Sequence, residues 1–379
     1  MIRVPDIMRA AAGCLVASLI ALPAAAPVAR NDATDGRPIR LAIAGLVHGH
    51  VEGFLRAAKG RDDVRIVGIA DPDPALRQKY AQRHGLAASV LFADLAAMLE
   101  GVRPEAVAAF TSTGEHPAVV EACARRHVHV MMEKPLAVGV EHARAIQRSA
   151  ESGGIHVIVN YETTWYRSHG ALWKLVKEER LGGEIRKMVA MDGHQGPKEI
   201  GVPDEFFAWL TDPVRNGAGA LFDFGCYGAN LMTWLMDGQR PLAVTAVTQR
   251  LKPHIYPRVD DEATVLVEYP KAQGIIQASW NWPFSRKDLD VYTEGGYARA
   301  AGGSVLRVRR PGQPEEETLT PAELPTDERD SLSYLAAVVR GRRPLSGLSS
   351  LENNLVVTEI LAAARESARA GQTIRLPAR

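Results

Sequence analysis

The run Met131-Met132-Glu133-Lys134-Pro135 sets an acid, a base and a proline at the end of an apolar segment, His127 to Met132, with the character of a short buried strand. In an open parallel sheet, ligands gather just past the carboxyl ends of the strands. A lysine held there by a proline points into a cleft, where chemistry is expected. A charged pair followed by proline also ends ordinary strands, so the tripeptide gains its meaning from the rest of the chain.

Other strand ends carry matching groups. Pro38 to Ala44 is a β-branched apolar run, followed by Gly45-Leu46-Val47-His48-Gly49-His50 and then a helical pattern of Val51, Phe54, Leu55 and Ala58. Strand, glycine turn and helix in that order are suited to a dinucleotide pyrophosphate, with the helix amino terminus attracting the anion. The G-x-G-x-x-G fingerprint would place glycines at 45, 47 and 50, where this chain has Gly45, Val47 and His50. Gly45 supplies the tight turn, and Gly49 is the expected place for backbone to meet pyrophosphate. A plain turn binding no nucleotide is the alternative. The next strand, Val64 to Ala70, ends at Asp71, where an adenosine ribose would be hydrogen-bonded; its charge would repel a ribose phosphate, favouring NAD over NADP. His48 and His50 span a turn with no carboxylate or cysteine set close in sequence, so no metal is expected.

A helix from about Pro74 to His84, an apolar Val90-Leu91-Phe92 and a helix near Asp94 to Leu99 lead to the strand Ala106 to Phe110. At its end Thr111, Ser112 and His116 lie where the nicotinamide half of a cofactor belongs, although His116 also serves to begin the helix Pro117 to Arg126. After the Glu133-Lys134 strand come the helix Gly139 to Ser152 and the strand Ile155 to Asn160, with Glu133 and Asn160 facing the same cleft. Six strands alternating with helices predict a doubly wound α/β domain.

The charges, 45 basic against 44 acidic, nearly cancel, which argues against a nucleic-acid or acidic-membrane surface. Arg3 and Arg9 precede an apolar segment, Ala10 to Leu22, followed by small residues to Ala29. This pattern predicts a secretory signal over residues 1–29, a linker at 30–37 and an exported, periplasmic protein with no membrane attachment once the signal is removed. Cys123 and Cys226 fall on separate predicted helices and are expected as free, buried thiols.

Beyond residue 160 the pattern changes. Tyr161-Glu162-Thr163-Thr164-Trp165-Tyr166 is aromatic and polar and leads into a helix through Leu172 and Val176; a strand covers Arg186 to Met191, and an irregular segment, Asp192 to Asn216, contains His194, Trp209 and Arg215. Alternation in Ala263 to Tyr269 and Gly274 to Trp280 predicts half-buried antiparallel strands, and a closing helix runs from Leu351 to Ala370. The predicted division is a Rossmann domain at 38–160 and an α+β substrate and oligomerisation domain at 161–379, with a large, mostly antiparallel open sheet.

The order of these parts resembles the Gfo/Idh/MocA family of nicotinamide-dependent sugar and cyclitol oxidoreductases. The resemblance rests on Glu133-Lys134-Pro135, Asp71 and the run Gly219-Ala220-Leu221-Phe222-Asp223-Phe224-Gly225-Cys226-Tyr227, supported by Val259-Asp260-Asp261 and Gly182-Gly183-Glu184-Ile185. It implies that Lys134 contacts a substrate hydroxyl and that Asp223 and the residue four positions later complete the catalytic group. That residue is Tyr227 here, where most members have histidine, as in the exported branch resembling glucose-fructose oxidoreductase. Tyr227 is then expected to take the carbinol proton, provided Lys134 lowers its proton affinity. A cis peptide is expected before Pro135. Tyr161, Trp165 and Tyr166, and after them Trp280 and Trp282, suit either a sugar-stacking platform or domain packing, and His194 joins the expected substrate contacts. The implied activity is oxidation of a sugar, glycoside or cyclitol carbinol by tightly bound NAD in a homodimer or homotetramer joined through the second sheet. Redox-neutral glycoside cleavage and a non-catalytic nucleotide or sugar sensor are the rival expectations.

Overall fold

The computed structural model describes residues 36–377; the predicted signal at 1–29 lies outside them. Five strand-helix units and a final strand follow one another: β1 (Ile39–Ala44), α1 (Val51–Ala58), β2 (Val64–Ala70), α2 (Pro74–His84), β3 (Leu91–Phe92), α3 (Leu95–Val102), β4 (Ala106–Ala109), α4 (His116–Ala124), β5 (His129–Glu133), α5 (Val140–Gly153) and β6 (Val157–Asn160). The strands pair in parallel in the order β3-β2-β1-β4-β5-β6. Strand order therefore reverses between β1 and β4, and the crevice beyond their carboxyl ends is the place for a ligand. β1, β4 and β5 are apolar on both sides because helices cover both faces.

The second half begins with α6 (Arg167–Trp173), whose predicted continuation through Val176 is instead a five-residue π turn, Lys174–Glu178. Then come β7 (Ile185–Gly193), α7 (Asp204–Leu210), α8 (Pro213–Asn216), α9 (Ala220–Asp223), α10 (Gly225–Leu235), β8 (Ala243–Gln249), β9 (Glu262–Glu268), β10 (Gln273–Ser279), β11 (Arg286–Thr293), β12 (Tyr297–Ala301), β13 (Val305–Arg309), β14 (Glu317–Leu319), α11 (Ser331–Val339), α12 (Leu351–Ala370) and β15 (Ile374–Arg375). Nine strands form one sheet, β14-β13-β12-β11-β7-β10-β9-β8-β15, in which only β7 and β10 run parallel. The segment 192–216 was expected to be irregular. The second of its two short helices has a local cause: Asp212 caps α8 by accepting from the Val214 amide at 2.8 Å, and Pro213 sets the first turn.

α10 is buried around nearly its whole circumference, between the sheet and α12. Gly228 permits this approach, because a Cβ there would stand 2.8 Å from Ala190 and Ile276 on β7 and β10. Buried amides fasten α10 to α12 and to the turn before it, with Asn353 Nδ2 donating to the Asn230 carbonyl at 3.2 Å and Asn230 Nδ2 to the Leu348 carbonyl at 2.8 Å. α11 crosses back to the first sheet: Leu332, Leu335 and Val338 share a core with Ile39, Leu41 and Ile43. Among the described residues no helix is long and apolar enough to cross a membrane, and Cys123 and Cys226 are free and buried as expected.

The start of α9 is the tightest point of the second half. Asp260 accepts from the amides of Gly219 at 2.9 Å and Leu221 at 2.7 Å, while its own carbonyl accepts from Ala220 at 3.0 Å. A Cβ on Gly219 would lie 1.8 Å from that carbonyl oxygen. Gly219→Ala is therefore expected to destabilise the fold by about 2–4 kcal/mol. Gly53→Ala in α1, where a Cβ meets open space, should be neutral or stabilising by up to about 1 kcal/mol. Urea unfolding of the two variants measures both.

Candidate active site

Lys134 follows β5, and the expected cis peptide joins it to Pro135. Its side chain crosses to the second half of the chain. Lys134 Nζ donates to Asp223 Oδ1 at 2.5 Å and to the Asp223 carbonyl at 2.9 Å, with only 7% and 8% of the two side chains exposed. Asp223 ends α9, the turn that Asp260 fastens, and its second oxygen accepts from Trp280 Nε1 at 2.9 Å. Trp280 is completely buried, so it is no sugar platform; it positions the carboxylate. Asp261 prepares Trp280 in turn, its carbonyl accepting from the Trp280 amide at 2.8 Å.

Burial opposes charge on both members of this pair, and each overcomes it for the other. The lysine is held above its ordinary value by Asp223, and the carboxyl below its ordinary value by Lys134. An ammonium and a carboxylate face each other at neutral pH.

Tyr227 lies one turn into α10, with the Lys134 ammonium 5.1 Å from its ring centre and the Tyr161 ring 5.6 Å away, edge to face. The expectation that Lys134 lowers its proton affinity is reversed. Burial, assisted by the charge of Glu162, pushes the phenol well above its ordinary value, while the lysine charge is spent on Asp223. Tyr227 is therefore a neutral hydroxyl here. A second ammonium, Lys287 on β11, stands 4.9 Å from the same ring and bonds Glu162. The sequence carries no signal for Lys287, because it reaches the site only through the pairing of β11 with β7. Opposite Lys287 on β7, Asp192 is buried, has one oxygen without a partner among the described residues, and is pushed well up by burial. His194 sets its ring edge-on to Phe224 at 4.8 Å, and burial lowers its proton affinity. Its Nδ1 accepts from the Gly196 amide at 2.9 Å, leaving the proton of the neutral ring on Nε2.

The remaining aromatic candidates separate. Tyr161 is fully buried beside Tyr227. Trp165 is committed to packing: its indole donates to Asn160 Oδ1 at 3.1 Å and its ring lies on Tyr334. Tyr166 donates to Glu162 at 2.6 Å and so belongs to the rim around Lys287. An open stacking platform is not what these residues form; they build one wall of the site.

On the cofactor side, Gly45 has φ +83°, and a Cβ would lie 2.9 Å from the Phe110 carbonyl, so the turn requires glycine. Asp71 accepts from the amides of Leu46 at 2.7 Å and Asp73 at 2.8 Å, bracing the glycine loop from β2. The His48 amide is used by the Phe110 carbonyl and the His50 amide by His48 Nδ1. Among the described residues the amides of Val47 and Gly49 have no acceptor, and they lie just before α1, where a pyrophosphate is attracted. These donors fit the dinucleotide. His48, by contrast, is buried among Phe110, Phe206 and Trp209.

At the end of β4, Thr111 Oγ1 bonds the Ser112 carbonyl, and Ser112 is consumed in a capping box with Glu115. His116 begins α4 and is buried; its Nδ1 bonds the Leu136 carbonyl at 3.0 Å and braces the loop after Lys134, while its Nε2 has no partner among the described residues. His50 Nδ1 lies 2.9 Å from Glu133 Oε2, and Glu133 Oε1 accepts from Asn160 at 2.9 Å. Folding thus brings His48 and His50 the carboxylate that their sequence neighbourhood lacks; donor atoms of His48, His50 and Glu133 lie within 4.8 Å of one another. Those groups are already bonded to each other, His48 to the His50 amide and His50 to Glu133.

Removing one member of the Lys134–Asp223 pair strands the other charge. Lys134→Met alone is expected to cost about 3–5 kcal/mol, and Lys134→Met with Asp223→Leu distinctly less. A double-mutant cycle in denaturant checks the coupling.

Residues 39–161 match the family model described as oxidoreductase family, NAD-binding Rossmann fold, and residues 169–299 match the GFO/IDH/MocA C-terminal domain. Trans-1,2-dihydrobenzene-1,2-diol dehydrogenase of Sus scrofa is 25% identical over 237 residues, which are 62% of this chain and 65% of that enzyme. The match thus spans a little under two thirds of that dehydrogenase. D-apiose dehydrogenase of Rhizobium rhizogenes is 23% identical over 342 residues, 86% and 94% of the two chains. The fold is shared with an inositol dehydrogenase homologue from Azotobacter vinelandii complexed with NAD+ (TM-score 0.77, 20% identity, 90% and 98% covered). It is also shared with aldose-aldose oxidoreductase from Caulobacter crescentus (0.75, 21%, 90% and 100%). With both halves of the fold matched in order, the chain belongs to the Gfo/Idh/MocA oxidoreductase family and carries its NAD-binding Rossmann domain.

Proposed function

We propose that this protein is an exported oxidoreductase that interconverts a carbinol and a carbonyl on a sugar, glycoside or cyclitol, using a tightly held nicotinamide cofactor. The observation that carries this reading is the buried Lys134–Asp223 pair beside Tyr227, assembled from two halves of the chain beyond the carboxyl end of β5. The names of the relatives, which include dehydrogenases of a diol and of apiose, support a polyhydroxylated substrate.

NAD, when bound, exchanges the hydride with the substrate carbon. The residues of the chain manage the oxygen and its proton. Lys134 uses two of its N–H bonds on Asp223, which leaves the third for a substrate oxygen. In the reductive direction Lys134 protonates that oxygen and is left as a neutral amine beside Asp223. In the oxidative direction the same amine, already deprotonated, takes the carbinol proton. Tyr227, neutral, donates a hydrogen bond to the developing alkoxide, and His194 presents its Nε2 proton from the adjoining turn.

Export rests on residues 1–29 of the sequence. A compartment poor in free NAD suits a cofactor that stays bound from one turnover to the next. Assembly through the open face of the second sheet is part of the same proposal, supported by Val247, Leu266 and Tyr292 exposed on that face.

The experiment follows absorbance of the NAD-loaded protein at the reduced-nicotinamide band while sugars, cyclitols and glycosides are added. A wild-type signal should appear and rise in rate with pH, because oxidation requires Lys134 deprotonated and its proton affinity is raised. Lys134→Met should slow it by about 10²–10⁴-fold, and Tyr227→Phe by about tenfold, one hydrogen bond to the developing charge. Unchanged rates in both variants would remove these residues from the mechanism.

A further inference from the structure

The helix α7 lies across the cofactor edge of the first domain and touches it at separate points. Trp209 Nε1 donates to the Val47 carbonyl at 3.2 Å, at the position where the dinucleotide fingerprint has its second glycine. The Phe206 ring stands where a Cβ on Gly49 would come within 2.9 Å, and its centre lies 4.6 Å from that of His48. Glu205 pairs with Lys79 on α2 at 2.7 Å, with 20% and 36% of the side chains exposed. Just beyond α7, Arg215 bonds Glu115 at 3.4 Å, and its backbone closes over Gly114. The segment 205–215 therefore spans the loop after β1, the helix after β2 and the loop after β4. A dinucleotide on this sheet lies over the first of these features, with its adenosine ribose at the end of β2, just before α2, and its other half toward the crevice at β4.

We propose that α7 is a clasp that completes the dinucleotide site from the second domain, with Phe206, Trp209 and the Glu205–Lys79 pair as positioning residues that retain the cofactor. The glycine loop has lost two fingerprint glycines, and α7 compensates by fixing its backbone from above. Trp209 anchors the Val47 carbonyl, which turns the neighbouring amides toward the anion. Phe206 can pack this closely because position 49 has no side chain. The Glu205–Lys79 pair, at the rim, holds the outer end against α2. This deepens the tightly held cofactor of the proposed function and rests on NAD binding alone, not on the identity of the sugar.

The test measures NADH release from the full-length protein by fluorescence in a rapid-dilution experiment, with no sugar present. Phe206→Ala and Glu205→Lys are each expected to speed release by about tenfold, and to lower the amount of nicotinamide that survives gel filtration. Exchanging the pair, Lys79→Glu with Glu205→Lys, should bring release back to within about threefold of wild type. General damage to the fold would not be repaired by that exchange. Unchanged release in the single variants, or slower release because Phe206 had been obstructing the groove, overturns the clasp, as does a wild-type protein that does not bind NADH. If the clasp variants release NADH quickly but no sugar or cyclitol is oxidised, only the substrate reading fails.

Discussion

A lysine ammonium with 7% of its side chain exposed is tolerable only if something holds a countercharge and hydrogen-bond acceptors against it. Here that partner comes from 89 residues later in the chain and from the other half of the fold. Desolvation works against both charges, so the pair survives only with good geometry and with the remaining lone pairs occupied. Asp223 meets that condition, with Lys134 on one oxygen and Trp280 on the other. The requirement spreads outward. Trp280 must be fixed, which Asp261 does through the main chain, and α9 must start at one defined point, which Asp260 and the bare Cα of Gly219 ensure. The paired aspartates 260 and 261 thus serve one carboxylate from two sides.

Around that pair the site is an arrangement of opposed charges rather than a basic pocket. Two ammoniums, Lys134 and Lys287, lie at nearly equal distances from the Tyr227 ring, and each has its own carboxylate, Asp223 and Glu162. The phenol therefore gains little net positive field, and burial decides its protonation state. A substrate with many hydroxyl groups can exchange hydrogen bonds with such a wall without bringing a charge of its own. Asp192, pushed toward its protonated form by burial beneath the wall, has one oxygen without a partner among the described residues.

Much of this was legible in the sequence where a local rule applied. α2 and α12 occupy the residues their periodicity indicated, since Asp73 and Ser350 cap them and Gly85 and Gly371 end them. Lys134 and Asp223 were marked by their motifs. The other roles depend on contacts made by folding. Trp280 suited either a stacking platform or packing, and only the end of β10, which sets its indole under Asp223, decides for packing. Ser112 and His116, at the end of β4, gain a capping box and the Leu136 carbonyl as partners, and the second of these comes only from the loop after Lys134. Lys287 and Phe206 have no motif, because only sheet pairing and the crossing of α7 bring them to the site.

The glycine loop and Lys134 are positioned by one connected set of bonds, which explains how the loop tolerates its changed sequence. His50, at the third fingerprint position, bonds Glu133, the residue before Lys134, and Glu133 bonds Asn160, which accepts from Trp165. The ends of β1, β5 and β6 are thereby linked edge to edge across the switch point. A glycine at position 50 would leave one Glu133 oxygen without its partner in a buried setting, at a cost of about 1–3 kcal/mol. The histidine is therefore an alternative solution to the same geometric problem: where the usual loop approaches its ligand by having no side chain, this one is held in place by a side chain that reaches the lysine strand. Asp71 fixes the loop from the other flank through the Leu46 amide, so that the backbone donors facing the crevice are set from both sides before any ligand arrives.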